Sequence, residues 1–126
     1  MASMQLYLAV AFGGAIGACL RLFIQQSFTN MLGKGFPFGT LAVNVIGSFI
    51  IGLVYALIQQ QAIENPVLKS FLTVGILGAL TTFSTFSLET LVMLQDGDLL
   101  KAGLNILLNL CLCICCVWLA LQIMKG

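Results

Sequence analysis

Residues 75–89 read GILGALTTFSTFSLE and lie inside an apolar stretch long enough to cross a membrane. Threonine and serine hydroxyls, a pair of phenylalanines and a glutamate crowd its second half, from residue 81 onward. Polar groups at lipid depth are costly unless they find a hydrogen-bond partner. This stretch therefore requires partners from other helices, from water or from an ion, and it is the strongest indication of function in the chain.

The composition identifies an integral membrane protein. Of the 126 residues, 60% are hydrophobic and only 7% are charged, whereas a soluble domain carries about 25% charged residues. The mean hydropathy is +1.11. We predict one all-helical transmembrane domain over residues 1–126, without a separate soluble part.

Charged residues and Gly, Pro and Asn positions divide the chain into four segments, each longer than the roughly 20 residues that a spanning helix needs. The predicted spans cover residues 4–30, 37–61, 66–94 and 99–124. Asn65 and Pro66 suit the N-cap and first position of the third helix. Four spans place both termini on one side of the membrane. We expect no cleaved secretory signal, because no basic region precedes the first apolar run.

The lysines favour neither orientation in the membrane. Lys69 and Lys125 would lie on one side, and Lys34 and Lys101 on the other. Because an excess of positive loop charge normally sets topology, either another feature orients the chain or it inserts both ways. Insertion both ways would allow an antiparallel homodimer, closed by a two-fold axis in the membrane plane.

The first helix combines small residues with one arginine. Gly13 and Gly17 are spaced for close approach of another helix, which favours packing over chemistry. Arg21 follows one turn later. It could extend to the interface, hydrogen-bond a helix end, or lie at the mouth of an anion path.

The second and fourth helices each carry a polar stripe at i, i+4 and i+8, on one helical face. The stripes are Thr40, Asn44 and Ser48, and Asn105, Asn109 and Cys113. Asn44 offers N–H donors that could either bond another helix or line a polar path. Stripes of this kind are hard to explain as lipid-facing, so we predict that they face one another or an aqueous path.

In the third helix, Gly75 and Gly78 precede Thr81. This order favours either close packing or an unwound turn, whose exposed carbonyls would suit Na⁺ or another hard cation.

Beyond that turn, Phe83 and Phe86 are three residues apart and share a face. They could serve as apolar packing, or their positive ring edges could approach an anion. Glu89 is the acidic residue well inside a span and therefore a functional candidate. Hydroxyl partners or water access would also account for it.

The five cysteines are Cys19, Cys111, Cys113, Cys115 and Cys116. Four of them lie close together in the last helix. Their thiols point in different directions, because successive helical residues are about 100° apart. This is a poor metal cage, and we expect packing rather than redox or metal-binding roles. The chain has no histidine, the commonest transition-metal ligand.

Three motifs together resemble the Fluc fluoride-channel (CrcB) family. They are Gly14-Ala-Ile-Gly-Ala-Cys-Leu-Arg21, Gly39-Thr-Leu-Ala-Val-Asn44-Val-Ile-Gly47-Ser48, and the segment from Gly75 to Glu89. The resemblance covers essentially the whole chain. It implies a passive, fluoride-selective channel, not an enzyme, that exports fluoride and confers fluoride resistance in a bacterial inner membrane. It also implies an antiparallel, dual-topology homodimer in lipid with two fluoride pathways, a third helix broken near its middle and a central structural Na⁺, without a nucleic-acid partner.

The same resemblance implies roles for particular residues. Its fluoride-lining set corresponds to Asn44, the paired phenylalanines Phe83 and Phe86, the adjacent hydroxyls of Ser84 and Thr85, and the family's arginine and glutamate at Arg21 and Glu89. Backbone carbonyls of Gly78 and Thr81 would hold Na⁺. Asn105, Asn109 and Cys113 stand where the family usually has tyrosine and then serine or threonine, and the first two carry amides. We include both in the predicted lining because amide donors can replace hydroxyls.

Two other functions compete with this interpretation. A small dual-topology multidrug/proton antiporter-like transporter is also built from about four helices, but that class uses an acid in its first helix, and this first helix has none. A non-conducting assembly subunit, held together by small residues and asparagines, is the third possibility.

Overall fold

The computed structural model describes residues 3–125 and contains four helical spans, each long and apolar enough to cross a membrane. The spans are α1 (Met4–Leu32), α2 (Phe38–Gln59), an interrupted third span (Pro66–Gln95) and α6 (Leu99–Lys125). The four predicted spans are confirmed, with ends that differ by at most two residues. Differences of this size are usual at helix ends.

The third span is broken, as expected. It consists of α3 (Pro66–Ser70), a π-helical segment (Phe71–Leu77), α4 (Gly78–Leu80) and α5 (Phe83–Gln95). Between α4 and α5, Thr81 and Thr82 have extended backbones, with ψ angles of 157° and 120°. The chain therefore unwinds at the two threonines rather than at Gly75 or Gly78. At the start of the span, the Val67 N–H donates to Asn65 Oδ1 at 2.8 Å, which confirms the predicted N-cap.

Helix α1 packs on the π-helical segment through its glycines. A Cβ atom on Gly13 would lie 2.6 Å from the Phe71 carbonyl oxygen, and one on Gly17 would overlap the Ile76 carbonyl. Only glycine permits this approach of backbone to backbone. The predicted packing role of Gly13 and Gly17 is confirmed, and it positions α4 and the break beside α1.

Helix α2 lies at the centre of the folded chain, where it contacts α1, α6 and the third span. Its contact with α6 is the most extensive between any two elements, and a Cβ atom on Gly52 would lie 2.7 Å from Ala120 Cβ. Val43 and Val54 of α2 form a buried cluster with Leu77 and Leu80 of the third span. The break is therefore held between α1 and α2.

Candidate functional site

Asn44 of α2 closes the break in the third span. The Thr82 N–H donates to Asn44 Oδ1 at 2.8 Å, and Asn44 Nδ2 donates to the Thr82 carbonyl at 3.1 Å. The side-chain amide thus pairs with the backbone N–H and C=O of Thr82, and it replaces helical hydrogen bonds that an extended residue cannot make. The interhelical bonding considered for Asn44 is present.

A chain of side-chain hydrogen bonds continues from Asn44 into α6. Asn44 Nδ2 donates to Asn109 Oδ1 at 2.9 Å, and Asn109 Nδ2 donates to the Asn105 carbonyl at 2.8 Å and to Asn105 Oδ1 at 3.0 Å. Asn105 Nδ2 donates to Thr90 Oγ1 at 2.9 Å, and the Thr90 hydroxyl donates to the Phe86 carbonyl at 2.8 Å. We call Asn44, Asn109, Asn105 and Thr90 the asparagine relay. The polar stripes of α2 and α6 therefore face one another, as predicted.

The relay is buried on its α6 side. Asn105 is 0% exposed and Asn109 is 5% exposed. Thr90, on α5, is also buried. Hydrogen bonds between helices replace water for all three side chains, which is the condition for placing them at membrane depth.

Phe83 and Phe86 lie side by side at the start of α5, with ring centroids 5.4 Å apart and ring planes tilted by 57°. Their surroundings differ sharply, because Phe86 is 7% exposed and Phe83 is 72% exposed. Their spacing predicted a shared face but could not distinguish a buried ring from an open one.

Both rings border an open cleft of about 370 Å³. Its polar lining consists of Asn44, Ser48, Thr73, Thr81, Thr82, Asn109 and Cys113. Apolar residues of α2, the third span and α6 complete the wall, among them Ile51, Leu77, Leu110 and Ile114. Asn105 does not border this cleft; it lies fully buried behind Asn109.

Ser84 and Thr85 belong to the capping of α5. The Thr85 N–H donates to Thr82 Oγ1 at 3.2 Å, and Ser84 Oγ lies 3.3 Å from the same hydroxyl. Ser84 is exposed and Thr85 is half-buried. Both side chains lie beside the phenylalanines, outside the residues that line the cleft.

The break changes the hydrogen bonding of Gly78 and Thr81. In a continuous helix their carbonyls would accept from the N–H groups of Thr82 and Thr85. Those groups donate instead to Asn44 Oδ1 and Thr82 Oγ1. Both carbonyls are therefore released from their helical donors, and both residues line the cleft. Neutral carbonyl oxygens of this kind fit a hard cation such as Na⁺.

Arg21 bonds a helix end. Its Nε donates to the Ala79 carbonyl at 2.9 Å, near the C-terminus of α4. A positive charge there complements the partial negative charge of terminal carbonyls. Of the three interpretations of Arg21, the hydrogen bond to a helix end is the one that the folded chain contains.

Glu89 has a hydroxyl partner on α2. The Thr40 hydroxyl donates to Glu89 Oε2 at 3.1 Å and accepts from Gln25 Nε2 at 3.3 Å. Glu89 Oε1 is buried and has no hydrogen-bond partner within residues 3–125. The predicted hydroxyl partner therefore accounts for one of the two carboxylate oxygens.

Gln25, Thr82 and Thr90 were not predicted as site residues, although each belongs to one of these networks. Thr82, Phe86 and Thr90 follow one another at spacings of four residues. Helical periodicity would have placed Thr90 on the face of Phe86, had the pattern been extended past Glu89.

All five cysteines are free thiols. Within residues 3–125, no three or more His, Cys, Asp or Glu side chains come together to hold a metal ion.

Four apolar spans around a hydrogen-bonded polar interior, with one helix broken at a cleft, define a small multi-pass membrane protein with a broken-helix site. Residues 8–121 match the family described as CrcB-like protein, Camphor Resistance (CrcB), and the chain belongs to this family.

Sequence similarity to bacterial proteins extends over nearly the whole chain. The protein named fluoride-specific ion channel FluC of Pseudoalteromonas translucida is 53% identical over 90% of this chain and 95% of its own length. The protein of the same name from Aeromonas salmonicida is 54% identical over 98% of both chains. That of Shewanella sp. strain W3-18-1 is 57% identical over 92% of this chain and 93% of its own. The chain is accordingly a multi-pass bacterial membrane protein.

Proposed function

We propose that this protein is a passive, fluoride-selective channel that exports fluoride across the bacterial plasma membrane and so confers fluoride resistance. The observation that carries the proposal is the pair of Phe83 and Phe86 at a broken helix, beside a cleft with a neutral polar lining. Relatives named as fluoride-specific ion channels are 53–57% identical to this chain over 90–98% of its length. Transport of an ion, rather than an enzymatic reaction, fits both observations.

The neutral lining suits a small, strongly hydrated anion. Hydroxyl and amide donors can replace the water that fluoride loses, whereas a row of fixed cations would hold it too tightly for conduction. The proposed lining comprises Phe83 and Phe86, Ser84 and Thr85 beside them, and Asn44 at the cleft wall. The proposed set also includes Arg21, which bonds Ala79 before the break, and Glu89, which follows the break. Asn105 and Asn109 complete the set that was predicted from the sequence, but their amides are already hydrogen-bonded to each other, to Asn44 and to Thr90.

The proposed assembly is an antiparallel homodimer. Two surface features support it: the cleft is open, and the Phe83 ring is 72% exposed beside it. A second copy would cover both and could complete the ion path. The even division of the lysines between the two sides supports insertion in both orientations.

We further propose a structural Na⁺ at the dimer axis, held by the carbonyls of Gly78 and Thr81 from each copy. The support is the loss of helical donors to both carbonyls at the break. When bound, the cation would neutralise the dipoles of carbonyls turned toward it. An experimental structure of the dimer should show an ion on the two-fold axis with carbonyl ligands. A different group at that axis, such as a packed side chain, would contradict this assignment.

The antiporter alternative is not favoured. Transporters of that class exchange protons at an acid of the first helix, whereas the half-buried acid here, Glu89, lies in the third span and accepts a hydrogen bond from Thr40. The family and its named relatives also support a channel over a non-conducting assembly subunit.

Fluoride efflux from proteoliposomes tests the proposed function. Vesicles loaded with equal fluoride and chloride, and made permeable to K⁺ with valinomycin, should release fluoride and retain chloride. No proton gradient should be needed. Comparable chloride release would contradict selectivity, dependence on a proton gradient would support an antiporter, and absence of flux from intact dimers would support an assembly subunit.

A further inference from the structure

The asparagine relay begins and ends on the same short stretch of the third span. One end holds the N–H and carbonyl of Thr82, and the other end holds the carbonyl of Phe86 through Thr90. Phe83 lies between these two anchors, and its ring packs against that of Phe86. The relay therefore ties the backbone that carries both rings to α2 and α6.

Backbone groups determine the directions of the Asn44 and Asn109 amides in the relay. The Thr82 N–H can only donate, so the oxygen of Asn44 must face it, and the Nδ2 group then faces the Thr82 carbonyl. The Asn105 carbonyl can only accept, so Nδ2 of Asn109 must point to it. Asn109 Oδ1 is then left to accept from Asn44. One arrangement satisfies all these groups, which favours a rigid structure.

The relay also engages the side-chain protons of Asn44 and Asn109 within the protein, so Asn44 lines the cleft as part of its wall without a free proton to donate. The two Nδ2 protons of Asn44 go to the Thr82 carbonyl and Asn109 Oδ1. Those of Asn109 go to the carbonyl and Oδ1 of Asn105. Fluoride could bind Asn109 only by breaking a bond to Asn105. Asn105 is 0% exposed and lies away from the cleft, so an ion there cannot reach it.

We infer that Asn105, Asn109 and Thr90 are positioning residues, which hold the Phe83–Phe86 pair in place through the backbone of residues 82–86, and that they are not fluoride ligands. This inference rests on the proposed function for its consequence on flux. The bonding on which it depends can be measured without any flux.

The hydroxyl of Thr90 is the best place to test the relay, because Thr90 is buried and does not border the cleft. Thr90→Val keeps the shape but removes the acceptor for Asn105 and the donor to Phe86. We expect fluoride efflux to fall by about tenfold. Removing the acceptor of the Asn105 amide leaves one buried donor unsatisfied, which disfavours the hydrogen-bonded arrangement by roughly that factor. The fluoride concentration that gives half-maximal flux should stay unchanged, because no ion ligand is lost. Thr90→Ser restores the hydroxyl and should recover the flux.

A spectroscopic measurement separates positioning from general stability. The full chain, reconstituted with 4-fluorophenylalanine at position 86, is examined by ¹⁹F NMR in fluoride-free buffer. Thr90→Val should shift or broaden the resonance of this ring in intact dimers, and Thr90→Ser should restore it. Should Thr90→Val fail to assemble, Thr90→Ala removes the same hydroxyl without apolar bulk and carries the same expectation.

Thr29→Val is the matched control. The Thr29 hydroxyl also donates to the carbonyl four residues earlier, that of Gln25 at 2.9 Å, but it lies on α1 outside the relay. This variant should change neither flux nor the ¹⁹F resonance.

Wild-type flux in Thr90→Val, or lost flux with an unchanged ¹⁹F resonance, would overturn the positioning role. So would an Asn109→Leu variant that raises the half-maximal fluoride concentration while the Phe86 resonance stays unchanged. If the wild-type chain conducts no fluoride, the proposed function fails, and the NMR arm still decides whether the relay holds the ring.

Discussion

At the scale of single residues, Phe83 and Phe86 are neighbouring side chains of the same type that differ in burial. The two rings touch, yet one is 72% and the other 7% exposed. Phe86 packs inside the chain one helical turn before Thr90, whereas the Phe83 ring is exposed at the open cleft. If the positive ring edges contact the anion, both rings contribute to flux, but only Phe86 also contributes to packing within the chain.

Isoleucine at either position tests this distinction. Phe83→Ile and Phe86→Ile remove the positive ring edge and keep most of the apolar bulk, so we expect both to reduce fluoride flux sharply. Exchanges of similar volume cost less than about 1.5 kcal/mol, and we expect the larger cost for the buried Phe86. Flux assays and thermal unfolding of the purified dimer measure the two effects. Near wild-type flux in both variants would show that the rings serve only for packing.

At the scale of elements, the contact between α1 and the π-helical segment positions the break. Cβ atoms added to Gly13 and Gly17 would meet backbone atoms of the third span, which cannot move aside as the end of a flexible side chain can. A π-helix is rare and often occurs where function requires an irregular helix. Here it immediately precedes α4, whose last residues lead into the extended threonines.

Gly17→Val should therefore separate α1 from the third span. The added atoms would overlap the Ile76 carbonyl, and overpacking of this kind typically costs about 1–3 kcal/mol. We expect a lower unfolding temperature and lower flux. Gly14→Val is the control, because a Cβ atom at Gly14 meets nothing within 4 Å. Equal stability of the two variants would contradict the close packing of α1.

At the scale of the whole molecule, the open cleft and the balanced lysines bear on how the chain is oriented in the membrane and whether two copies pair. With Lys34 and Lys101 on one side and Lys69 and Lys125 on the other, charge alone selects neither orientation. The cleft beside Phe83 is open within one chain, and a second, inverted copy is the partner that we propose to cover it.

Labelling tests the proposed dual topology. A single cysteine introduced in the loop at Lys34, in a chain whose five cysteines are replaced by serine or alanine, should react with an impermeant reagent from both sides of the membrane. Two extra lysines in that loop should bias insertion and lower the flux, because fewer antiparallel pairs form. Reaction from one side alone in the unbiased chain would rule out dual topology.

Much of the architecture was predictable from the sequence. Apolar lengths determined the four spans to within two residues, because the thickness of a bilayer sets the length of a helix. The Asn65 cap and the glycine contact of α1 also followed from local chemistry. The motif from Gly75 to Glu89 was specific enough to indicate the family.

Tertiary structure alone decided how the polar groups pair. Asn44 meets Thr82 and Asn109 across 38 and 65 positions of sequence, and Thr90 receives its bond from α6. Helical periodicity shows which side chains share a face, but not which faces meet, because that depends on how whole helices pack. For the same reason, the exposure of Phe83, the burial of Phe86 and the place of the break at Thr81 and Thr82 could be read only from the folded chain.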